Sequence, residues 1–192
     1  MVKINFDRAV FSGENKSGIG VVIRDSSGSV ITSCPKKIPY AFSSCEVEAL
    51  ATATALSFVA KIALNKAVLE GDSLVVIKAL IKPKSPLSSI GPWIEDSKIF
   101  SNNFSQLLYS HTRRECNKVT HSLARYAIDI PDFLVWMEDI PPHFIVILHA
   151  DLANLNECIS SFQPEKKKKK KVYNNLYKTF ISLRNYTCSF KQ

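Results

Sequence analysis

Three acidic residues fall where a carboxylate can do chemistry. Asp7 closes the alternating segment Ile4-Asn5-Phe6, Glu48 lies in the first turn of an Ala-rich helical stretch, and Asp72 separates a short strand pattern from a second helical one. If the strands before Asp7 and Asp72 are parallel neighbours, both carboxylates emerge at the same carboxyl edge, where open α/β sheets bind ligands. Glu48 shares a helical face with Ala51, Thr52, Ala55 and Leu56. Packing that face on the sheet turns Glu48 toward the other two acids. A cluster of this kind repels itself unless a cation neutralises it. Hard divalent ions with oxygen ligands, Mg²⁺ or Mn²⁺, are the natural occupants. Two such ions, about 3.5–4 Å apart, support in-line displacement at a phosphodiester. Each acid is also an ordinary cap or turn residue, and the pattern alone leaves both readings open.

The elements that must position these acids follow from periodicity and turn chemistry. Ile4–Asp7, Gly18–Arg24 and Val30–Ser33 read as strands, the last two joined by the turn residues Asp25-Ser26-Ser27-Gly28, and together they predict an antiparallel meander. Ser43 with Glu46 three residues later forms a possible capping box for a helix over Glu46–Leu64. Its alanines, among them Ala49, Ala53 and Ala60, allow close approach to a sheet. A strand over Ala67–Glu70 and a helix over Leu74–Ile81 come next. Pro83, Pro86 and Gly91-Pro92 punctuate a loop. Trp93–Phe100 is expected to be helical, Phe104–Tyr109 a fifth strand, and Lys118–Ala127 a last helix with Asn117 as its N-cap. This order predicts an α/β fold with a five-stranded mixed sheet, a meander followed by parallel strands.

The net charge of +8 is unevenly spread over the 192 residues. Leu155–Gln192 holds nine Lys or Arg and two Glu, whereas Met1–Asn154 carries sixteen basic and fifteen acidic side chains. The expected division is therefore a folded body, 1–154, and a basic low-complexity tail, 155–192, disordered or weakly helical. The run Lys166–Lys171 repels itself and favours solvation, and its composition also suits a nuclear localisation signal. Five scattered cysteines without a C-x-x-C pair argue against a zinc or redox motif and for free thiols in a reducing compartment. No apolar run approaches the roughly 20 residues that span a bilayer, and the N-terminus has no signal-peptide pattern. An intracellular monomer, nuclear or cytoplasmic and without membrane association, is expected.

Five segments occur in order: Ile4-Asn5-Phe6-Asp7, Gly18–Asp25, Glu48-Ala49-Leu50-Ala51, Glu70-Gly71-Asp72-Ser73 and Arg114–Arg125, which includes Thr120-His121-Ser122-Leu123-Ala124. Together with the closing segment Val135–Pro141, they make the stretch from Val2 to Leu152 resemble the ribonuclease H domain of plant proteins related to retroelement reverse transcriptases. The motifs are individually weak, and their order and spacing are specific. The resemblance implies a ribonuclease H-like fold in which Asp7, Glu48 and Asp72 bind metal. It puts a fourth site position on His121, where catalytic members generally carry Asp, and matches His111 to a mobile histidine that assists proton transfer or product release. It also marks departures. Arg8 stands where a Gly normally follows the first Asp, and Ser43-Ser44-Cys45 replaces an Asn-rich substrate-contact stretch.

The expected function is metal-dependent endonucleolytic hydrolysis of the RNA strand of RNA–DNA hybrids. The partner is a hybrid or a structured RNA. Candidate contacts are Arg8, Ser43, Ser44, Arg113, Arg114, Asn117 and Lys118, with Arg125 beside them. Hydroxyls can read the ribose 2′-OH, and basic side chains the phosphates. The alternative is a catalytically degenerate module of the same fold that binds nucleic acid or protein, and Arg8 and His121 are the residues that favour it.

Overall fold

A computed structural model describes residues 1–84 and 88–158, with side chains through Asp151. The first strand pair is longer than the alternation suggested: β1 spans Val2–Phe11 and β2 spans Lys16–Arg24. Antiparallel pairing runs from Lys3↔Arg24 to Phe11↔Lys16, so Asp7 sits within the strand and not at its end. The expected end is instead the limit of the parallel pairing between β1 and β4 (Lys66–Gly71), which stops at Asn5↔Glu70. Asp7 therefore stands two residues beyond the last parallel pair, and Asp72 follows β4 directly.

β3 (Val30–Ile38) completes the meander, and β5 (Gln106–His111) runs parallel to β4. The sheet has six strands where five were expected, in the order β5-β4-β1-β2-β3-β6. The extra one, β6, is two residues long, Trp136–Met137, and pairs with Ser33 and Thr32 of β3. Its shortness explains why no alternating pattern announces it. The turn before β3 is built as its residues require, with Asp25 Oδ1 accepting the Ser27 and Ser29 N–H groups.

The two faces of the sheet are covered differently. α1 (Ser44–Lys61) starts on the expected capping box, in which Ser43 and Glu46 exchange side-chain and backbone hydrogen bonds. It packs against β1 and β2 on one side and α3 (Gly91–Ser101) on the other, which is why small residues serve it all round. Ile4, Phe6, Ile19, Val21 and Ile23 belong to its core. α2 (Leu74–Ile81) continues from Asp72, with Ser73 as its N-cap.

α4 (Lys118–Tyr126) lies over β1 and β2. Its approach is unusually close because β2 offers Gly18 and Gly20. A Cβ on Gly20 would stand 2.1 Å from the Thr120 carbonyl oxygen, and one on Gly18 would stand 1.9 Å from that of Ala124. Val22, Val119, Leu123, Ile140 and Phe144 form the small core beneath it.

A helix absent from the sequence-based expectation, α5 (Ile145–Cys158), packs on α4 and runs through the expected boundary at Asn154. The remainder of the expected tail, 159–192, lies outside the described residues, as does Pro86. α5 brings Asp151 into the interior. Asp151 Oδ2 accepts the Val119 N–H at 3.1 Å and meets Arg24 Nη2 at 3.3 Å, with both side chains essentially inaccessible. The acid thus caps α4, where carboxylates are favoured by the helix dipole. Removing one partner of a buried pair strands the other charge. Asp151→Ala should lower the unfolding free energy by roughly 3–5 kcal/mol in urea melts, and Arg24→Met in the same chain should recover most of the loss.

Candidate active site

Each acid is delivered by a different local device. Asp7 lies opposite Gly20, so no side chain of β2 stands between it and α4. Its Oδ1 accepts the Arg8 N–H at 2.7 Å, and its Oδ2 lies 3.1 Å from His121 Nδ1. Glu48, one turn into α1, is buried to 2% exposure. Asp72 is half-buried at the turn into α2. The residue before it has to be small, because a Cβ on Gly71 would stand 2.3 Å from the Phe6 ring.

The three acids expected to converge do so. One carboxylate oxygen each from Asp7, Glu48 and Asp72 lies within 4.8 Å of the others. Glu48 Oε2 is 3.3 Å from Arg8 Nε, while Glu48 Oε1 is buried and has no hydrogen-bond partner. Burial, reinforced by the neighbouring charges of Asp7 and Asp72, pushes the Glu48 carboxyl well above the usual carboxylate range, and Arg8 only partly opposes this. A buried acceptor without a donor, on a residue clustered with two further carboxylates, suits a cation-binding site. The donor set is all oxygen, so the residues present fit a hard divalent ion.

The histidines sit on opposite flanks. His121, on α4, is half-buried against Asp7. His111, at the exposed end of β5, places Nε2 3.1 Å from the Asp72 carbonyl oxygen.

The expected contact residues divide sharply. Arg113, Arg114 and Lys118 are exposed around the start of α4, and Ser44 is exposed at the start of α1. Arg125, also exposed, lines a separate hollow of about 410 Å³ with Phe11, Tyr126 and His143. Ser43 is exposed, but its hydroxyl is engaged in the helix cap. Asn117 requires a correction. It is 1% exposed, and its amide donates to the Phe6 carbonyl at 2.9 Å, so it neither caps α4 with its side chain nor offers a surface to a ligand. Its amide ties the start of α4 to the backbone just before Asp7. Arg8 is likewise turned inward, with Nε on Glu48 and on the Ser44 carbonyl oxygen at 3.2 Å.

Sequence reasoning missed Arg24 and Asp151, which fix α4 from below. The available signal was an acid inside the largely apolar stretch Ile145–Leu152, and an arginine ending a β-branched run.

A mixed sheet in this order, with the acids at its parallel edge, is a ribonuclease H-like fold. RNase H1 of the halophilic archaeon Halobacterium salinarum superposes with a TM-score of 0.62 at 22% identity, over 67% of this chain and 97% of that one. LC11-RNase H1, a compost metagenome protein solved with an RNA/DNA hybrid, gives 0.57 at 22% identity, again over 67% and 97%. The N-terminal RNase H domain of a Mycobacterium tuberculosis protein gives 0.58 at 20% identity, over 67% and 93%. Residues 5–127 match the reverse transcriptase-like family, and the chain belongs to it. No curated protein matches the sequence.

Because Glu48 is more easily protonated in the folded chain than in the unfolded one, its ionisation opposes folding. That penalty is absent below the usual carboxylate range and grows as pH rises through it toward the raised folded value. Glu48→Gln should therefore raise the melting temperature of the metal-free protein at neutral pH, by about 2–4 °C per kcal/mol relieved, and should have little effect near pH 4. Thermal melts across pH test this; a substitution that destabilises at neutral pH would contradict it.

Proposed function

We propose that this domain hydrolyses the RNA strand of RNA–DNA hybrids in a metal-dependent, endonucleolytic reaction. The observation that carries the reading is the convergence of three carboxylates within 4.8 Å, on a Glu48 whose Oε1 is buried and unpartnered. Asp7, Glu48 and Asp72 would hold two Mg²⁺ or Mn²⁺ ions. Bound there, the ions supply Lewis acidity at the attacking and leaving oxygens of an in-line displacement.

The chain's own residues do the rest. His121 holds the Asp7 carboxylate through Oδ2 and adds no negative charge where hybrid phosphates approach. His111, exposed beside Asp72, exchanges a proton with solvent at Nε2 when it leaves the Asp72 carbonyl, a position suited to assisting the leaving 3′-oxygen or product release. Arg113, Arg114 and Lys118 carry charge where phosphates can be met, and Ser44 presents a hydroxyl for a ribose 2′-OH. The domain acts as a monomer. The origin we infer is a retroelement, of the plant group whose ordered motifs the chain resembles.

Hydrolysis of an end-labelled hybrid with Mg²⁺ or Mn²⁺ tests the reading. Asp7→Asn and Asp72→Asn should each reduce cleavage by about 10²–10³-fold, the scale of losing one preorganised electrostatic contact, while hybrid binding without metal holds or strengthens. His121→Asp adds a hard oxygen ligand and should raise the rate or lower the Mg²⁺ requirement. If the wild type does not cleave, and His121→Asp with Arg8→Gly does not create cleavage, the domain is a binding module that has kept the fold and three of its acids.

A further inference from the structure

The cation already present at the acidic cluster is part of the chain. Strand alternation decides where it points. Asp7 pairs with Gly20 and faces α4, so the next residue, Arg8, pairs with Ile19 and faces α1. There its Nε lies 3.3 Å from Glu48 Oε2 and 3.2 Å from the Ser44 carbonyl oxygen, in the first turn of α1. The two Glu48 oxygens are thereby unequal, Oε2 engaged by the guanidinium and Oε1 buried without a partner. Glu48 is buried at 2% side-chain exposure, and Arg8 keeps 27%. The arginine thus lies on the open side of the pair and can move outward, whereas the glutamate cannot.

We propose that Arg8 is a built-in counter-cation that competes with divalent metal for Glu48, so that the metal site is held in a low-affinity state until Arg8 moves away. The proposal rests on the metal-site reading above and concerns how that site is regulated. A cation drawing on both Glu48 oxygens must displace the guanidinium from Oε2. It must also overcome the charge repulsion between Arg8 and itself. Once displaced, Arg8 is a free guanidinium at the mouth of the site, and a nucleic-acid phosphate is the chemistry it would then bind. Metal and phosphate would accordingly favour each other through a single side chain.

Calorimetric titration of the full chain with Mn²⁺ alone, without nucleic acid, tests this directly. Arg8→Gln should tighten Mn²⁺ binding by about tenfold or more, the factor equivalent to one charge-assisted hydrogen bond. Arg8→Lys keeps the charge and should stay near the wild-type affinity. Thermal melts give a second readout. Without metal, Arg8→Gln should melt below the wild type, since Glu48 loses its counter-charge, and it should gain more from Mn²⁺ than the wild type does. Equal or weaker Mn²⁺ binding by Arg8→Gln overturns the counter-cation role while leaving the metal site standing. Absence of Mn²⁺ binding in wild type and variant alike, or binding that survives Asp7→Asn, overturns the metal-site reading itself and this proposal with it.

Discussion

Mutual repulsion among three carboxylates is the constraint from which the rest of this structure follows. Oxygens of Asp7, Glu48 and Asp72 lie within 4.8 Å of one another, two of the three side chains are buried, and burial together with the neighbouring charges raises the cost of ionising Glu48. Such an arrangement survives only if each acid is held by an element that cannot relax. Asp7 is in a strand paired on both sides up to the preceding residues, Glu48 is in a helix clamped between the sheet and α3, and Asp72 is between a paired strand and a capped helix. The fold thus holds the three acids together through paired strands and packed helices.

Much of this was legible in the sequence because the signals were local. The capping box at Ser43, the turn at Asp25–Gly28 and the Gly-Asp step at residues 71–72 each encode one backbone conformation, and each was found where expected. The meeting of Asp7 and Asp72 follows from strand direction, and that of Glu48 from the helical face it shares with Ala51, Thr52, Ala55 and Leu56. What escaped depends on contacts distant in sequence. β1 continues past Asp7 because β2 pairs with it to Phe11, and a polar residue within a strand resembles its end. β6 is two residues long and exists only because β3 offers an edge. Asn117 looks like a helix cap in sequence, yet the carbonyl of Phe6, 111 residues away, claims its amide.

Asn117 and Asp151 exchange roles in a way that no short motif records. The residue in the capping position turns away to hold β1, and an acid from α5 takes over the N–H group of Val119. α4 is thereby tied at its start from two directions, and His121 follows three residues after Lys118 with its ring on Asp7. The glycines of β2 set the depth of the helix and these polar ties set its position along the sheet. The geometry at His121 is thus a property of β1, β2, α4 and α5 together.

The pairing of Arg24 with Asp151 also separates two meanings of the word domain. The family match covers residues 5–127, whereas the folded elements continue through α5. The folding unit ends later. A piece cut at residue 127 would keep all three acids, and would leave the buried Arg24 without Asp151 and the Val119 N–H at the start of α4 without its acceptor. The boundary that evolution makes visible by similarity and the boundary that electrostatics imposes therefore lie on different sides of α5.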